Sequence, residues 1–327
     1  MAGVRAVLIV VGVGALLGVG CLPEPPTDPP PPATSTTTAA PGPGGWSQNG
    51  PLGDCPVFPA DNAWNTRVDD APVHPDSAAI LAFIRGHGGD HLHPDFGGDG
   101  AYGIPYVTVP GTQPPVPITF TAYGDESDPG PYPVPLGAPV EGGSDRHVLA
   151  VDRDGCRLYE LYRSFPTATG WEADSGATWD LRSNDLRPAG WTSADAAGLP
   201  IFPGLVRFDE VASGEIDHAL RVTFSTTRRA YIDPARHWAS SVTDPAAPPM
   251  GLRLRLRADF DRSGYSGQAR VVLDALATYG MLVADNGSNW FVTGAADPRW
   301  DDDDLAQLKA VPGSAFEVVD TGAPVTF

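Results

Sequence analysis

Residues Val148–Tyr162 have the sequence VLAVDRDGCRLYELY, in which two strand-forming runs are separated by a tight turn. The runs Val148–Asp152 and Cys156–Tyr162 flank Asp154-Gly155. An Asp-Gly pair tolerates the positive φ that a tight hairpin turn requires. The stretch therefore predicts a β-hairpin, and antiparallel strands are the expected basis of the fold.

The segments around this hairpin predict a β-rich domain with few helices. Alternation of apolar and polar residues predicts strands over Glu215–Phe224 and Leu252–Phe260. Helical spacing predicts helices over Pro75–Arg85 and Gln268–Tyr279, with a short last helix over Asp301–Ala310. The expected fold is α+β, a β-rich single domain with a sandwich- or barrel-like antiparallel sheet and a small mixed α/β C-terminal part.

Three further patterns predict local elements in the second half of the chain. Met281–Ala284 and Trp290–Thr293 are expected to pair as strands around Asn286-Gly287. Phe316–Val319 is expected to form a closing strand. The segment Thr192–Asp195 matches a capping box, which predicts a short helix.

The composition excludes several functional classes. The 327 residues include 21 Lys+Arg and 40 Asp+Glu, which gives a formal net charge of −19. A phosphate-backbone binder needs a basic surface, so a nucleic acid is not an expected partner. Lys309 is the only lysine, which disfavours Schiff-base chemistry. The sequence also lacks G-x-S-x-G, phosphate-loop, Rossmann and H-E-x-x-H motifs, so common serine hydrolases, nucleotide-using enzymes and zincin proteases are disfavoured.

The N-terminus has the features of an export signal. Arg5 precedes an apolar run, Ala6–Val19, which is too short for a comfortable membrane span and typical of a secretory signal. The sequence Gly-Val-Gly-Cys ending at Cys21 resembles the lipobox of bacterial lipoproteins, with Gly18 where that class usually has Leu. The resemblance covers residues 1–21 and implies an exported protein that is anchored to a membrane by a lipid on Cys21. An ordinary cleaved signal peptide is the alternative, and it also implies export.

The next segment and the cysteines suggest how the rest of the chain is organised. A Pro/Thr-rich tract, Pro23–Pro43, predicts an extended spacer. We therefore expect a signal peptide over residues 1–20, the anchor cysteine and linker over 21–50, and a globular domain over 51–327. If Cys21 is lipid-modified, Cys55 and Cys156 remain, and an oxidising compartment favours a disulfide between them. Two buried free thiols are the alternative.

The densest block of aromatic and acidic residues, from Tyr159 to Trp191, has the composition of a sugar cleft. Aromatic rings stack on sugars, and carboxylates act as acid and base in glycosidic cleavage. The candidate catalytic residues are Glu160, Asp174, Asp180 and His218, and the candidate sugar-binding residues are Trp179, Trp191 and Asn184. Partial burial of Glu160 on its strand is expected to raise its pKa, as a general acid requires. Alternatively, His218 is a hydrogen-bonded core residue and the tryptophans are packing residues.

Three arginines suggest a way to bind an anionic sugar. Arg253, Arg255 and Arg257 recur at every second residue and are expected to share one strand face. Guanidinium groups bind carboxylates well, so this ladder would suit a uronate. A lyase would use the ladder to neutralise the uronate, with His218 or Tyr231 as the base. The alternative is charge pairing with acidic residues on a neighbouring strand.

No cofactor is expected, although two segments suggest metal sites as alternatives. His91 and His93 form an H-x-H pair, which in an extended segment places both imidazoles on one side, where they could bind a transition metal. Asp259 and Asp261 begin a pattern similar to a calcium loop. Arg270 stands where that loop needs a bidentate Glu.

These patterns predict an exported, lipid-anchored protein that binds a polysaccharide or another cell-envelope glycan. Cleavage by carboxylate acid/base chemistry is the enzymatic hypothesis, with a glycoside hydrolase as the first candidate and a polysaccharide lyase as the second. Neither a nucleic acid nor a nucleotide is an expected partner. The alternatives are a non-catalytic glycan- or protein-binding module and a structural lipoprotein.

Overall fold

The computed structural model describes residue 42 and residues 44–326, which belong to one compact unit. The proposed signal segment, Cys21 and most of the Pro/Thr-rich linker lie outside the described residues. The prediction of a β-rich α+β domain is confirmed, because short helices accompany several β-sheets. None of the described helices is long and apolar enough to cross a membrane.

The regular elements are short and are distributed along the whole described chain. The strands are β1 (Ser47–Gln48), β2 (His93–Asp95), β3 (Tyr106–Val109), β4 (Ile118–Phe120), β5 (Val148–Asp152), β6 (Arg157–Tyr162), β7 (Phe165–Pro166), β8 (Trp171–Ala173), β9 (Ser175–Asp180), β10 (Leu220–Phe224), β11 (Ala230–Tyr231), β12 (Arg253–Leu256), β13 (Met281–Asn286), β14 (Phe291–Thr293), β15 (Phe316–Val318) and β16 (Val325–Thr326). The α-helices are α1 (Ser77–Gly86), α2 (Phe208–Ser213), α3 (Gly267–Thr278) and α4 (Asp302–Leu305). Short 3-10 turns lie at Gly124–Glu126, Phe202–Gly204, Ala306–Ala310 and Gly313–Ala315.

Two larger sheets organise the domain. One has five strands in the order β1-β3-β5-β6-β9, and the other has six in the order β15-β12-β13-β10-β14-β2. A three-stranded sheet (β4-β8-β7) and a two-stranded sheet (β11-β16) complete the described strands, none of which close into a barrel. The largest hydrophobic cluster includes residues from both larger sheets. The predicted hairpin is confirmed as β5 and β6, which pair antiparallel with Val148 opposite Leu161.

The six-stranded sheet is mixed, and one prediction about it is wrong. The strands β13 and β14 were expected to pair with each other, but β10 lies between them. The pairing of β10 is parallel to β13 and antiparallel to β14. The short connection from β13 to β14 therefore passes the end of β10, where a Cβ on Gly287 would lie 2.7 Å from Oγ1 of Thr223. A local pattern does not reveal a partner that comes from 60 residues earlier in the chain.

The long alternating segments form only part of the strands predicted for them. The strand predicted over Glu215–Phe224 is limited to Leu220–Phe224, and the one over Leu252–Phe260 to Arg253–Leu256. Every residue of β10 and β12 is buried, so the alternation does not separate an exposed face from a packed one.

The helix predictions succeed where apolar spacing supports them. The bounds of α1 and α3 agree with the predictions within two residues at each end. The last helix begins at an Asp301 cap, whose carboxylate accepts from the N–H groups of Asp303 and Asp304, and it continues as a 3-10 turn. The helix predicted at Thr192–Asp195 is absent, because the Asp195 side chain binds an arginine instead of capping a helix.

The predicted disulfide is confirmed. Cys55 and Cys156 are bonded, with their Cα atoms 5.2 Å apart and a sequence separation of 101 residues. The bond connects the start of the described domain to the turn between β5 and β6. It therefore closes a long loop through the five-stranded sheet.

Removal of this bond should destabilise the domain. The double variant Cys55→Ala/Cys156→Ala is expected to lower the free energy of unfolding by about 2–4 kcal/mol, because the unfolded chain loses the constraint of a long closed loop. Unfolding in urea measures the change. Replacing both cysteines avoids leaving one free thiol buried. A double variant with wild-type stability would contradict a stabilising role for the bond.

Candidate active site

One face of the six-stranded sheet has a row of polar side chains. Arg221 on β10 donates from Nη1 to Oγ1 of Thr293 on β14 at 2.7 Å and from Nη2 to Oδ2 of Asp285 on β13 at 3.4 Å. Thr293 lies opposite Asp95 of β2 in the parallel register. Four neighbouring strands therefore contribute to one polar row with Arg221 near its centre.

Asp195 reaches this row from a loop outside the sheet. Nε and Nη2 of Arg221 donate to the two carboxylate oxygens of Asp195 at 2.7 and 2.8 Å. The Asp195 side chain is 0% exposed and that of Arg221 is 6% exposed. This bidentate contact matches the fork of a guanidinium to a carboxylate. It connects the loop that contains Asp195 to the middle of the sheet.

Asp285 differs from Asp195 in being partly open to solvent. Its side chain is 23% exposed, and Nη2 of Arg221 contacts both Oδ2 of Asp285 and Oδ1 of Asp195, so the two carboxyl groups lie close together. Two neighbouring carboxyl groups repel each other when both are ionised, which favours the protonated form of one of them. Burial and the negative charge of Asp195 raise the pKa of Asp285 to about 8, against the opposing effect of Arg221. The raised pKa favours the protonated form of Asp285 at neutral pH.

Asp285 faces a pocket of about 250 Å³, which we call the Asp285 pocket. The side chains that line this pocket include Tyr123, Asp145, Tyr162, Ser193, His237 and Asn286. Tyr123 is 46% exposed, and Asp145 is also exposed. The pocket therefore combines aromatic faces, a hydroxyl group, an amide and carboxyl groups beside a protonated acid.

A second buried pair supports the loop that contains Asp195. Nδ1 of His147 lies 2.5 Å from Oε2 of Glu141, and its Nε2 lies 3.0 Å from the carbonyl oxygen of Ala194. Burial alone would lower the pKa of His147, but the charge and the hydrogen bond of Glu141 outweigh it and raise the pKa to about 9. A protonated His147 donates to both acceptors. It therefore holds the residue that precedes Asp195.

Glu160, the acid predicted from the sequence, lies away from this pocket. It is 0% exposed, and its carboxyl oxygens accept from the N–H groups of Ile201 and Phe202 at 2.8–3.0 Å. Burial raises the pKa of Glu160 to about 8, against the opposing effect of these N–H groups. The expected rise in pKa is present, but the side chain has no path to a substrate in this structure. Its role here is to bind two backbone donors.

The other predicted catalytic residues lie at three separate places. Asp174 accepts from Thr121 and Arg163. Asp180 lies 3.9 Å from Nη1 of Arg157. His218 is buried and contacts the carbonyl of Ala219 and the carboxylate of Glu210. None of the three lines the Asp285 pocket, and the structure does not bring them together with Glu160.

Two of the predicted sugar-binding residues line a different pocket of about 270 Å³, which we call the Trp179 pocket. Asn184 in this pocket donates to Asp61 at 2.9 Å. Trp191 lies nearby, since the guanidinium of Arg187 is 5.7 Å from the ring centres of both Trp179 and Trp191. The structure therefore groups Trp179, Asn184 and Trp191 in one region, as the composition suggested, but none of the predicted carboxylates lines the Trp179 pocket.

The three arginines of the predicted ladder do not form an exposed anion-binding face. Arg253 and Arg255 are 3% and 7% exposed, and they donate to backbone carbonyls of residues 63–71. Arg257 is paired with Asp259 at the surface. The prediction fails because the segment 63–71 covers this side of β12 and takes the guanidinium groups as internal partners.

The two metal alternatives also lack a complete ligand set. Within the described ranges, no group of three or more His, Cys, Asp and Glu residues is arranged to hold a metal ion. The ring of His93 stacks on Phe291 with 4.1 Å between ring centres, while His91 is exposed. Asp259 pairs with Arg257, and Asp261 accepts from the N–H of Ser263. The two aspartates are therefore engaged with the protein itself.

Sequence reasoning missed the acidic pair at the centre of the site. Asp195 was assigned to a helix cap, and Asp285 was not considered. A signal was nevertheless present, because Arg221 and Asp285 each lie in a strand of largely apolar residues. A charged residue in such a strand needs a partner, and here the two strands are neighbours.

Comparison with known proteins gives no assignment, since no family model, curated protein or solved structure matches the chain. The geometry of the site is therefore the basis for a functional proposal.

The protonation states in the interior predict how stability depends on pH. Glu160 and Asp285 keep their protons up to about pH 8 when folded, and His147 up to about pH 9. The unfolded chain releases these protons near the ordinary values of about 4 and 6.5. Between about pH 5 and 9 the folded state binds more protons, so the free energy of unfolding should fall as pH rises. Urea unfolding at a series of pH values measures this slope.

Glu160→Gln is the variant that tests the contribution of one group. It should flatten the slope between about pH 5 and 8 by up to about 1.4 kcal/mol per pH unit. Glu172→Gln, at an exposed position on β8, should keep the wild-type slope. A wild-type slope in Glu160→Gln would contradict a protonated Glu160 in the folded state.

Proposed function

We propose that the protein is an exported, lipid-anchored enzyme that binds a polysaccharide or another cell-envelope glycan and cleaves it with Asp285 as the general acid. The observation that carries the proposal is a carboxyl group that keeps its proton at neutral pH in the wall of a pocket. A general acid must hold a proton before the reaction and must reach the leaving oxygen. Burial beside Asp195 favours the protonated form of Asp285. The 23% exposure of its side chain lets it reach a substrate.

The partners of Asp285 suit the transfer of that proton. Asp285 would donate to the glycosidic oxygen, which leaves two ionised carboxylates side by side. Arg221 contacts both of them and supplies the positive charge that limits their repulsion. Because Asp195 is bound at both oxygens, its position changes little when Asp285 loses the proton.

Asp145 is the candidate for the second carboxylate. A glycoside hydrolase needs one carboxylate to activate water or to attack the sugar, about 5–10 Å from the acid. Asp195 is unsuited to this role, since its side chain is 0% exposed. Asp145 is exposed and lines the same pocket as Asp285. It would act on the anomeric carbon directly or through a water molecule.

The lining of the pocket favours hydrolysis over elimination. Tyr123 and Tyr162 offer aromatic faces for a sugar ring, and Asn286 adds an exposed amide for its hydroxyls. A lyase would need a cation to neutralise the uronate carboxylate. Among the described residues that line the Asp285 pocket, none is an arginine or a lysine.

A non-catalytic glycan-binding module is the second candidate, and the Trp179 pocket favours it. That pocket is lined by an amide at Asn184 and by two largely buried tryptophans, Trp64 (2% exposed) and Trp179 (6% exposed). Sugar-binding sites combine such aromatic and amide groups without needing a protonated carboxyl. A protein that retains a glycan and releases no product would fit this second candidate.

Asp285→Asn tests the assignment of the acid. The variant loses the proton but keeps the shape, so kcat should fall about 100-fold or more while KM changes much less. The assay incubates the protein with neutral and uronic polysaccharides and follows reducing ends and the ultraviolet absorbance of unsaturated products. The wild-type rate should also fall as pH rises through about 8, where Asp285 ionises.

The controls separate this assignment from the alternatives. Asp217→Asn, at an exposed position away from the pocket lining, should retain the wild-type rate. Wild-type turnover in Asp285→Asn would contradict the role of Asp285. Retention on one glycan without product would favour the binding module. Neither product nor retention across the panel would leave a structural lipoprotein.

The proposal of export and anchoring rests on the lipobox-like sequence and is supported by the disulfide. A disulfide is typical of an oxidising compartment. Cys21→Ser should therefore move the protein from the membrane fraction to the soluble fraction of the exported material, as measured by fractionation. Gly20→Ala keeps a small residue before the cysteine and should remain with the membrane. Membrane retention of Cys21→Ser would reject the lipid anchor.

A further inference from the structure

A third pocket lies beside β2, the outermost strand of the six-stranded sheet. Its volume is about 480 Å³, nearly twice that of the Asp285 pocket. We call it the His93 pocket, and the side chains that matter here are His93, Asp95, Tyr102, Phe291 and Lys309. None of them lines the Asp285 pocket.

The His93 pocket offers flat aromatic surfaces together with polar groups. The rings of His93 and Phe291 stack with 4.1 Å between their centres and an angle of 4° between their planes. Tyr102 is 65% exposed, the highest value among the large exposed apolar and aromatic side chains described. Lys309, the only lysine of the chain, and Asp95 add hydrogen-bonding groups at the surface. An aromatic platform beside polar side chains suits a sugar ring.

The strand order of the six-stranded sheet gives the distance between the His93 pocket and the Asp285 pocket. Asp95 on β2 lies opposite Thr293 on β14, Thr293 accepts from Arg221 on β10, and Arg221 donates to Asp285 on β13. Asp95 and Asp285 are therefore on the same face of the sheet, three strand positions apart, with the buried side chains of Thr293 and Arg221 between them. With about 4.8 Å between neighbouring strands, this separation is about 14 Å.

Asp145 provides a second relation between the two pockets. It lines the Asp285 pocket, and its charge acts on Asp95 in the His93 pocket and on Tyr162 in the Asp285 pocket. Asp145, the proposed second carboxylate, therefore lies within electrostatic range of side chains in both pockets.

We propose that the His93 pocket is a remote subsite for the same glycan chain, so that the substrate is an internal segment of a polymer rather than a terminal sugar. This inference rests on the proposed function of the Asp285 pocket. A separation of about 14 Å is longer than one sugar ring, so a ligand that fills both pockets has several linked sugars. Stacking at Tyr102 and at the Phe291–His93 pair would hold the chain in register while Asp285 reacts.

The test uses the whole protein and a series of oligosaccharides of increasing length, prepared from the polysaccharide that it cleaves. The value of kcat/KM should rise with chain length and reach a plateau once both pockets are filled. Tyr102→Ala should lower kcat/KM about tenfold for the long oligosaccharides and leave the shortest cleaved one unchanged. Tyr102→Phe keeps the ring and should behave as the wild type.

The control is another exposed aromatic residue, one that lines neither pocket. Phe165 on β7 is 39% exposed, and Phe165→Ala should leave the length dependence unchanged. A rate independent of chain length, or an equal loss at every length in Tyr102→Ala, would overturn the remote subsite and leave the role of Asp285 intact. Failure of the wild-type protein to cleave any glycan would overturn the proposed function and the subsite with it.

Discussion

The buried ion pair between Arg221 and Asp195 is the contact on which the candidate site depends. Both side chains are almost inaccessible to solvent, and their two hydrogen bonds join an irregular loop to the central strands of a sheet. A buried charge without its partner costs several kcal/mol, so the loop and the sheet are tightly coupled through this pair. The pair also sets the charge that Asp285 experiences, and thereby links the architecture of the sheet to the chemistry of the pocket.

The same charges explain why the site holds a neutral acid. One guanidinium group contacts two carboxyl groups, so full ionisation would leave an excess negative charge in a largely buried place. Of the two carboxyl groups, Asp195 makes the shorter contacts with Arg221, at 2.7 and 2.8 Å, and Asp285 has only a longer one at 3.4 Å. The proton therefore resides on Asp285. The neighbouring His147–Glu141 pair fixes the loop through its own hydrogen bonds, from His147 to Glu141 and to the carbonyl oxygen of Ala194.

Local patterns were sufficient for the elements that depend on near neighbours in sequence. The hairpin at Val148–Tyr162 and the helices α1 and α3 follow from turn chemistry and apolar spacing. Distant contacts were not predictable in this way. The β13–β14 hairpin failed because β10 inserts between them, and the cap at Thr192–Asp195 failed because Arg221, 26 residues later, binds the Asp195 carboxylate. The aromatic composition identified the region around Trp179. It did not identify Asp195 and Asp285, the two carboxyl groups that lie together beside Arg221.

Glu160 and Asp285 show what a sequence-based search for a catalytic acid lacks. Each is an acidic residue in a strand of mostly buried residues, and burial raises the pKa of each to about 8. Their surroundings differ in what the carboxyl group touches. Glu160 is 0% exposed and bound by two backbone N–H groups, whereas the Asp285 side chain is 23% exposed and borders a pocket. A shifted pKa is therefore shared by a structural carboxyl and by the candidate acid, and access to a substrate is the property that separates them.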